Sequence, residues 1–166
     1  MKIMVVDGGG REHAIIKSLK KNPAVEEIFA LPGNGGIAAD ATCVDIGAKD
    51  IDAIVKFGME NKIDYAVVAP DDPLVLGCVD ALTEVGIPCF GPDKKAAIIE
   101  GSKAFSKDLM KKYNIPTASY EIFDDMDKAI AYLQDKDMPI VVKADGLALG
   151  KGVIIAQTYE EAVEAG

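Results

Sequence analysis

Apolar residues in this chain fall in short β-branched runs, separated by stretches where they recur every three or four positions. Ile3–Val6 is fully apolar, and Ala14, Ile15, Ser18 and Leu19 follow at helical spacing. Ile28–Leu31 and Thr42–Ile46 read as the next strands. Ile51, Ile54, Val55 and Gly58 then mark one face of a helix that Asp50 is placed to cap. Asp64–Ala69 is a buried strand, followed by a helix over roughly 73–85 with Pro73 in its first turn and Asp71 or Asp72 at its cap. Ile87–Phe90, closed by Gly91-Pro92, is a further strand. Strands alternating with helices at this rhythm predict a parallel sheet of about five strands over residues 1–92.

From Asp93 the pattern turns helical. Ala96–Glu100 forms a short piece, Gly101 interrupts it, and Ser102 is a good N-cap for a helix lined by Phe105, Leu109 and Tyr113. Ile115-Pro116-Thr117 ends that helix. Ser119–Ile122 reads as a strand, and Met126, Ile130 and Leu133 share a helix face. The runs Ile140–Val142 and Val153–Ile155 then flank a glycine-rich connection, and Tyr159–Ala165 begins another helix. The expected division is 1–92 for the first α/β domain, 93–117 for a helical linker, and 118–166 for a second, partial subdomain.

Charge narrows the partners. The net charge is −9; residues 1–93 hold 8 basic and 15 acidic side chains, and residues 94–166 hold 10 and 12. An acidic surface argues against nucleic acid and anionic membrane, but not against a small anion held by a few focused lysines. Cys43, Cys78 and Cys89 lack C-x-x-C spacing and are expected to act as small buried hydrophobes in a reducing compartment. No apolar run reaches membrane-span length, and Met1-Lys2 leads straight into a strand, so the expected location is the cytoplasm.

Three glycine-rich loops carry the candidate chemistry. Asp7-Gly8-Gly9-Gly10-Arg11 joins the first strand to its helix, where backbone N–H groups and the helix dipole favour an anion. It fails the dinucleotide fingerprint, because the third glycine would fall at His13 and no acidic residue ends the second strand; that argues against a dehydrogenase reading, which NAD titration would test. Pro32-Gly33-Asn34-Gly35-Gly36 is the second loop, and the pair reads as a cradle for one phosphate or as turns that only pack strand on helix. The third runs from Lys143 through Asp145, Gly146, Gly150, Lys151 and Gly152. It is not a Walker A loop: the glycines are one residue too close, Lys151 is followed by glycine, and a strand comes next. Glycine N–H groups and two lysines suit a flap over a polyphosphate; the plain alternative is a hairpin with solvated lysines. Lys103, in the first turn of its helix, opposes the helix dipole and fits either an anionic ligand or solvent. His13 has no nucleophile beside it and reads as structural.

In order along the chain, G-G-R-E-H-A (Gly9–Ala14), P-G-N (Pro32–Asn34), D-x-P-L-V (Asp71–Val75), F-G-P (Phe90–Pro92), E-G-S-K-A-F (Glu100–Phe105), I-P-T-A (Ile115–Ala118) and V-V-K-A-D-G-L-A-x-G-K-G-V (Val141–Val153) resemble the phosphoribosylamine–glycine ligases. These are ATP-grasp enzymes of purine synthesis. The resemblance implies an α/β fold: a Rossmann-like pre-ATP-grasp domain followed by an incomplete ATP-grasp subdomain. It implies an activity joining glycine to 5-phosphoribosylamine with ATP split to ADP and phosphate. ATP would then be held by Lys103, Lys143, Asp145, Gly146, Gly150, Lys151 and Gly152. Gly9, Gly10, Arg11, Asn34 and Asp71 would lie toward the phosphoribosylamine, and no residue would act as a covalent catalyst.

The same resemblance sets three departures. Asp7 stands where the family usually has glycine, and Asp71 where it usually has glutamate. Family members also continue well past Gly166, so the Mg2+ or Mn2+ ligands, the adenine pocket and the rest of the glycine site are expected in a part supplied in cis or in trans. Turnover by these residues alone is not expected. A non-enzymatic module that binds a sugar phosphate or nucleotide, a subunit of a split ATP-grasp enzyme, and another ATP-grasp ligase or carboxylase are the alternatives.

Overall fold

The structure is a computed structural model that describes residues 1–148 and 152–165, and the chain divides into two units, Met1–Ile98 and Ile99–Gly166. In the first unit, β1 (Lys2–Val6), β2 (Glu27–Leu31), β3 (Thr42–Cys43), β4 (Tyr65–Val68) and β5 (Cys89–Phe90) form one parallel sheet in the order β3-β2-β1-β4-β5. β1 is central, with Val6 opposite both Leu31 and Val68. The strand order reverses between β1 and β4, so the loops leaving their carboxyl ends open onto a switch point, where ligands of doubly wound sheets sit.

Alternation along β1 explains why both faces are apolar. Ile3 and Val5 point to one side with Ile16, Ile28, Ala30, Ile37 and Val67, beneath α1 (Gly10–Leu19). Met4 and Val6 point to the other, with Phe29, Leu31, Val68 and Leu82, against α2 (Ile51–Glu60), α3 (Asp71–Leu76) and α4 (Cys78–Glu84). Asp50 caps α2 by accepting from the Ala53 amide at 3.1 Å, as its position predicts.

Several expected elements change. The helix over 73–85 is two helices, because Gly77 adopts φ +91° and ends α3 there. The α3 N-cap is Pro70, so Asp71 and Asp72 lie in the first turn and cap nothing. The third and fifth strands shrink to two residues each, although the Val44 amide still donates to the Ala30 carbonyl and the Pro88 carbonyl still accepts from the Ala66 amide, both at 2.9 Å. Cys78 is buried and its thiol is pushed up to about 12 by loss of solvent, with Cys89 nearby, but Cys43 is exposed. α5 (Lys94–Gly101) follows.

In the second unit, α6 (Lys103–Lys112) is capped by Ser102, whose hydroxyl accepts from the Phe105 amide at 3.1 Å. α7 (Met126–Leu133), β6 (Ile140–Lys143), β7 (Val153–Ala156) and α8 (Tyr159–Glu164) complete it. β6 and β7 are antiparallel, with Ile140 opposite Ala156 and Lys143 opposite Val153. Ser119–Ile122 is not a strand. Lys107 Nζ donates to Thr117 Oγ1 (2.7 Å) and to the Ala118 carbonyl (3.2 Å), and the Tyr120 hydroxyl donates to Asp108 (2.8 Å). Side chains of α6 therefore hold the segment, and no ladder forms.

Leu133, Ala156 and Ala162 form a small core with Ile140, Val142 and Tyr159. The opposite hairpin face, carrying Val141, Lys143, Val153 and Ile155, is open to solvent, with Ile155 61% exposed.

Candidate functional site

Each of the two units carries its own candidate site. In the first, Gly9 is the N-cap of α1 in extended conformation with no side-chain cap, which leaves first-turn amides without an intrahelical acceptor. A Cβ on Gly10 would meet nothing within 4 Å, so the helix start is open. Arg11 is exposed and has no ion pair or side-chain hydrogen bond among the described residues. The adjacent loop is clamped by Asn34, whose Oδ1 accepts from the Gly36 amide (2.7 Å) and the Ile37 amide (2.9 Å) while its Nδ2 donates to the Gly8 carbonyl. Asn34 thus joins the two loops, and its side chain is already committed to holding their shape.

The structure separates the two carboxylates after β4. Asp72 pairs with Lys49 at 2.6 Å, whereas the side chain of the half-buried Asp71 has no ion pair or hydrogen bond among the described residues. Asp7 holds a backbone φ of +92°, and its amide donates to the Leu31 carbonyl at 2.6 Å. His13 Nε2 lies 2.8 Å from Asp40 Oδ2 and Lys20 Nζ lies 2.8 Å from Asp40 Oδ1. Lys20 first, then His13, hold the Asp40 carboxyl down at about 2. This cluster ties the second loop's downstream end to α1.

Glu12 went unread in the sequence. It is 1% exposed, its Oε2 lies 2.5 Å from where a Cβ on Gly9 would stand, and its Oε1 has no hydrogen-bond partner among the described residues. The signal was present: Gly9 at the N-cap and glutamate three residues on is the spacing at which a carboxylate folds back over a helix start. An apolar groove of about 550 Å³ lies between Val68, Leu74, Phe90 and Gly91 at the carboxyl ends of β4 and β5, and it offers no cation to a phosphate.

In the second unit, alternation places Lys143 on the open hairpin face with Val141, Val153 and Ile155. Lys103 Nζ is partly buried and donates to the Gly146 carbonyl at 2.6 Å, so it is not simply a solvated lysine. The Asp145 carboxylate accepts from the Ala104 amide (3.1 Å) and the Ser102 hydroxyl (3.1 Å). The Ala104 amide above all holds that carboxyl below the usual range; burial, next in size, opposes it, and the Gly146 amide, the Ser102 hydroxyl and the Lys103 amide add to the lowering. Gly146 has φ +82°, and the Ala144 amide closes the loop mouth on the Gly152 carbonyl at 2.8 Å. Gly150 and Lys151 lie outside the described residues.

Among the described residues no group of three His, Cys, Asp or Glu side chains could hold a metal ion, so the divalent cation that the resemblance implies has no donor set there. Nor, among the described residues, is any helix long and apolar enough to cross a membrane.

A Rossmann-like parallel sheet followed by a helix and a glycine-loop hairpin with a lysine at the strand end is the arrangement of an ATP-grasp chain. The profile described as Phosphoribosylglycinamide synthetase, N domain matches residues 1–100, and that described as Phosphoribosylglycinamide synthetase, ATP-grasp (A) domain matches residues 101–166. The chain belongs to the phosphoribosylglycinamide synthetase family. It is 50% identical over 165 residues to a phosphoribosylamine–glycine ligase of Halalkalibacterium halodurans, a match covering 99% of this chain and 39% of the relative. A Vibrio vulnificus ligase of the same name is 50% identical over 167 residues, again over 39% of its length. The chain therefore spans about two fifths of the curated relatives it matches. A crystal structure of phosphoribosylamine–glycine ligase from Thermotoga maritima superposes with a TM-score of 0.77 at 32% identity, covering 99% of this chain and 38% of that one. The biotin carboxylase domain of Hydrogenobacter thermophilus 2-oxoglutarate carboxylase, at 22% identity and TM-score 0.78, shares the fold.

Proposed function

We propose that this chain is the substrate-entry and nucleotide-flap portion of a phosphoribosylamine–glycine ligase, working with the rest of the ligase in cis or in trans. One observation carries the proposal: two successive domain profiles of a single ligase family match residues 1–100 and 101–166, end to end. The proposed division is 1–92 for the phosphoribosylamine side, 93–117 for the helical linker and 118–166 for the flap-bearing subdomain. The cytoplasm is the proposed compartment, as it supplies ATP and glycine.

In this reading a glycine carboxylate oxygen attacks the γ-phosphorus of ATP, the P–O bond to the β-phosphate breaks, and ADP leaves. The amine nitrogen of phosphoribosylamine then attacks the acyl phosphate carbonyl, the new C–N bond displaces phosphate, and the nitrogen gives up a proton. Such chemistry asks for positioning, charge neutralisation and exclusion of water, not a covalent nucleophile. Lys103, Lys143 and the amides of Gly146, Gly150 and Gly152, with Lys151, take the nucleotide phosphates. Gly9, Gly10 and Arg11 take the sugar phosphate, Asn34 holds the loop that flanks it, and Asp71 accepts from a sugar hydroxyl.

The test extends the polypeptide to the relatives' full length and supplies ATP, glycine and phosphoribosylamine with Mg2+ or Mn2+. Phosphate release that requires both glycine and the amine is expected; its absence in a folded protein overturns the proposal. The 166-residue chain alone is expected to give no glycinamide ribonucleotide.

A further inference from the structure

We infer that Asp145 is a positioning residue that anchors the root of the glycine-rich loop to the start of α6 and so sets where Lys103 reaches, instead of contacting the nucleotide itself. Its place in the reaction rests on the ligase reading; the anchor does not.

Four contacts within the second unit converge on the anchor. Asp145 Oδ1 accepts from the Ala104 amide at 3.1 Å, and Oδ2 accepts from Ser102 Oγ at 3.1 Å. The Ser102 hydroxyl also accepts from the Phe105 amide, so one oxygen both caps α6 and braces the carboxylate. Lys103, between these partners, turns its ammonium onto the Gly146 carbonyl at 2.6 Å. Two residues adjacent in sequence on α6 therefore grip two residues adjacent on the loop.

The charge logic is local. A carboxylate beside a proposed polyphosphate would repel it if free. Here the carboxylate occupies the positive end of α6 and accepts from an orphan amide, so the helix dipole offsets part of its charge. Both oxygens already have a donor within the chain, so the hydrogen bonds that orient the carboxylate run to the start of α6. The depressed carboxyl pKa, caused first by the Ala104 amide, accords with this. Gly146, next in the chain, needs φ +82°, a conformation that the Lys103 contact fixes on the carbonyl side.

The anchor is tested on the 166-residue chain without nucleotide, and the reaction on the full-length polypeptide. By nuclear magnetic resonance, the Ala104 amide is expected to titrate with a midpoint below the ordinary carboxyl value of 3.8. Asp145→Asn should abolish that titration, and Asp145→Ala should also speed Ala104 amide exchange by about tenfold or more. In the full-length protein Asp145→Ala should raise the ATP KM by about tenfold with kcat changed far less, and Asp145→Asn, which keeps an acceptor for Ala104, should recover much of the loss. An Ala104 amide indifferent to pH and to both substitutions overturns the anchor. A lost titration with an unchanged ATP KM overturns the positioning role. A wild-type full-length protein with no ATP-dependent reaction sinks the ligase reading instead, and the amide titration still decides the anchor.

Discussion

The carbonyl oxygen of Gly33 lies 2.3 Å from the point where a Cβ on Gly8 would stand. The two loops at the carboxyl ends of β1 and β2 thus touch backbone to backbone, and the Asn34 bridge to the Gly8 carbonyl is possible only at that closeness. A methyl at residue 8 must push one backbone aside. Gly8→Ala is expected to destabilise the first unit by about 1–3 kcal/mol, the range for overpacking a closed site. Chemical denaturation measures it, and an unchanged midpoint would show that the loops are not in contact.

Asp7 points to the opposite change. A non-glycine residue at φ +92° carries backbone strain, and this is the position where the family resemblance leads one to expect glycine. Asp7→Gly removes the strain at the cost of a floppier unfolded chain. The net expectation is about 1 kcal/mol of added stability, read from the same denaturation curves. Asp7→Val, with a branched Cβ, should instead destabilise.

Asp40 makes the first unit acid-sensitive in a defined window. Its folded pKa is held at about 2, against 3.8 for the free side chain, first by Lys20 and then by His13. A depressed carboxyl contributes stability that is complete above the unfolded value and disappears as pH falls through the folded one. Asp40→Asn should therefore be less stable than the parent at pH 6, and the gap should close between about pH 4 and pH 2. Unfolding curves at those pH values check the sign; a gap that widens on acidification would contradict the assignment.

The thiols should separate by reactivity. Cys43 is exposed, while Cys78 is buried with its thiol raised to about 12. A thiol reagent at neutral pH is expected to label Cys43 first and Cys78 only on unfolding. Cys43 Sγ lies 2.5 Å from where a Cβ on Gly33 would stand, so a label there should also disturb the second loop. Mass-spectrometric mapping of a labelling time course decides the order.

Lys143 bears on the nucleotide. In a full-length ligase carrying this sequence, Lys143→Ala is expected to lower kcat/KM for ATP by at least about tenfold, or 1.4 kcal/mol of transition-state binding. Steady-state kinetics at varied ATP measure it, and an unchanged value returns Lys143 to ordinary solvent exposure.

The sheet was legible because β1 and β4 are buried on both faces and read as uninterrupted apolar runs, and because glycine and proline punctuate their ends. The hairpin and the caps at Asp50 and Ser102 were legible for similar local reasons. What escaped reading depends on partners distant in sequence. Gly77 sits within a helical pattern that tolerates one glycine, and nothing local announces its left-handed turn. Ser119–Ile122 has a strand's composition, but Lys107 and Asp108 take hold of the chain around it. Glu12 reads as a solvated first-turn acid until the fold closes over it. Asp145 meets its amide partner 41 positions away, a separation at which spacing carries no signal.

The bare side of the β6–β7 ribbon has a practical consequence. Val141, Val153 and Ile155 form a strip of hydrocarbon in water, flanked by strand edges with backbone groups to offer. At crystallisation concentrations two molecules can satisfy both by lying ribbon to ribbon, so a preparation of these 166 residues is expected to cloud as it is concentrated, and to clear with Ile155→Lys.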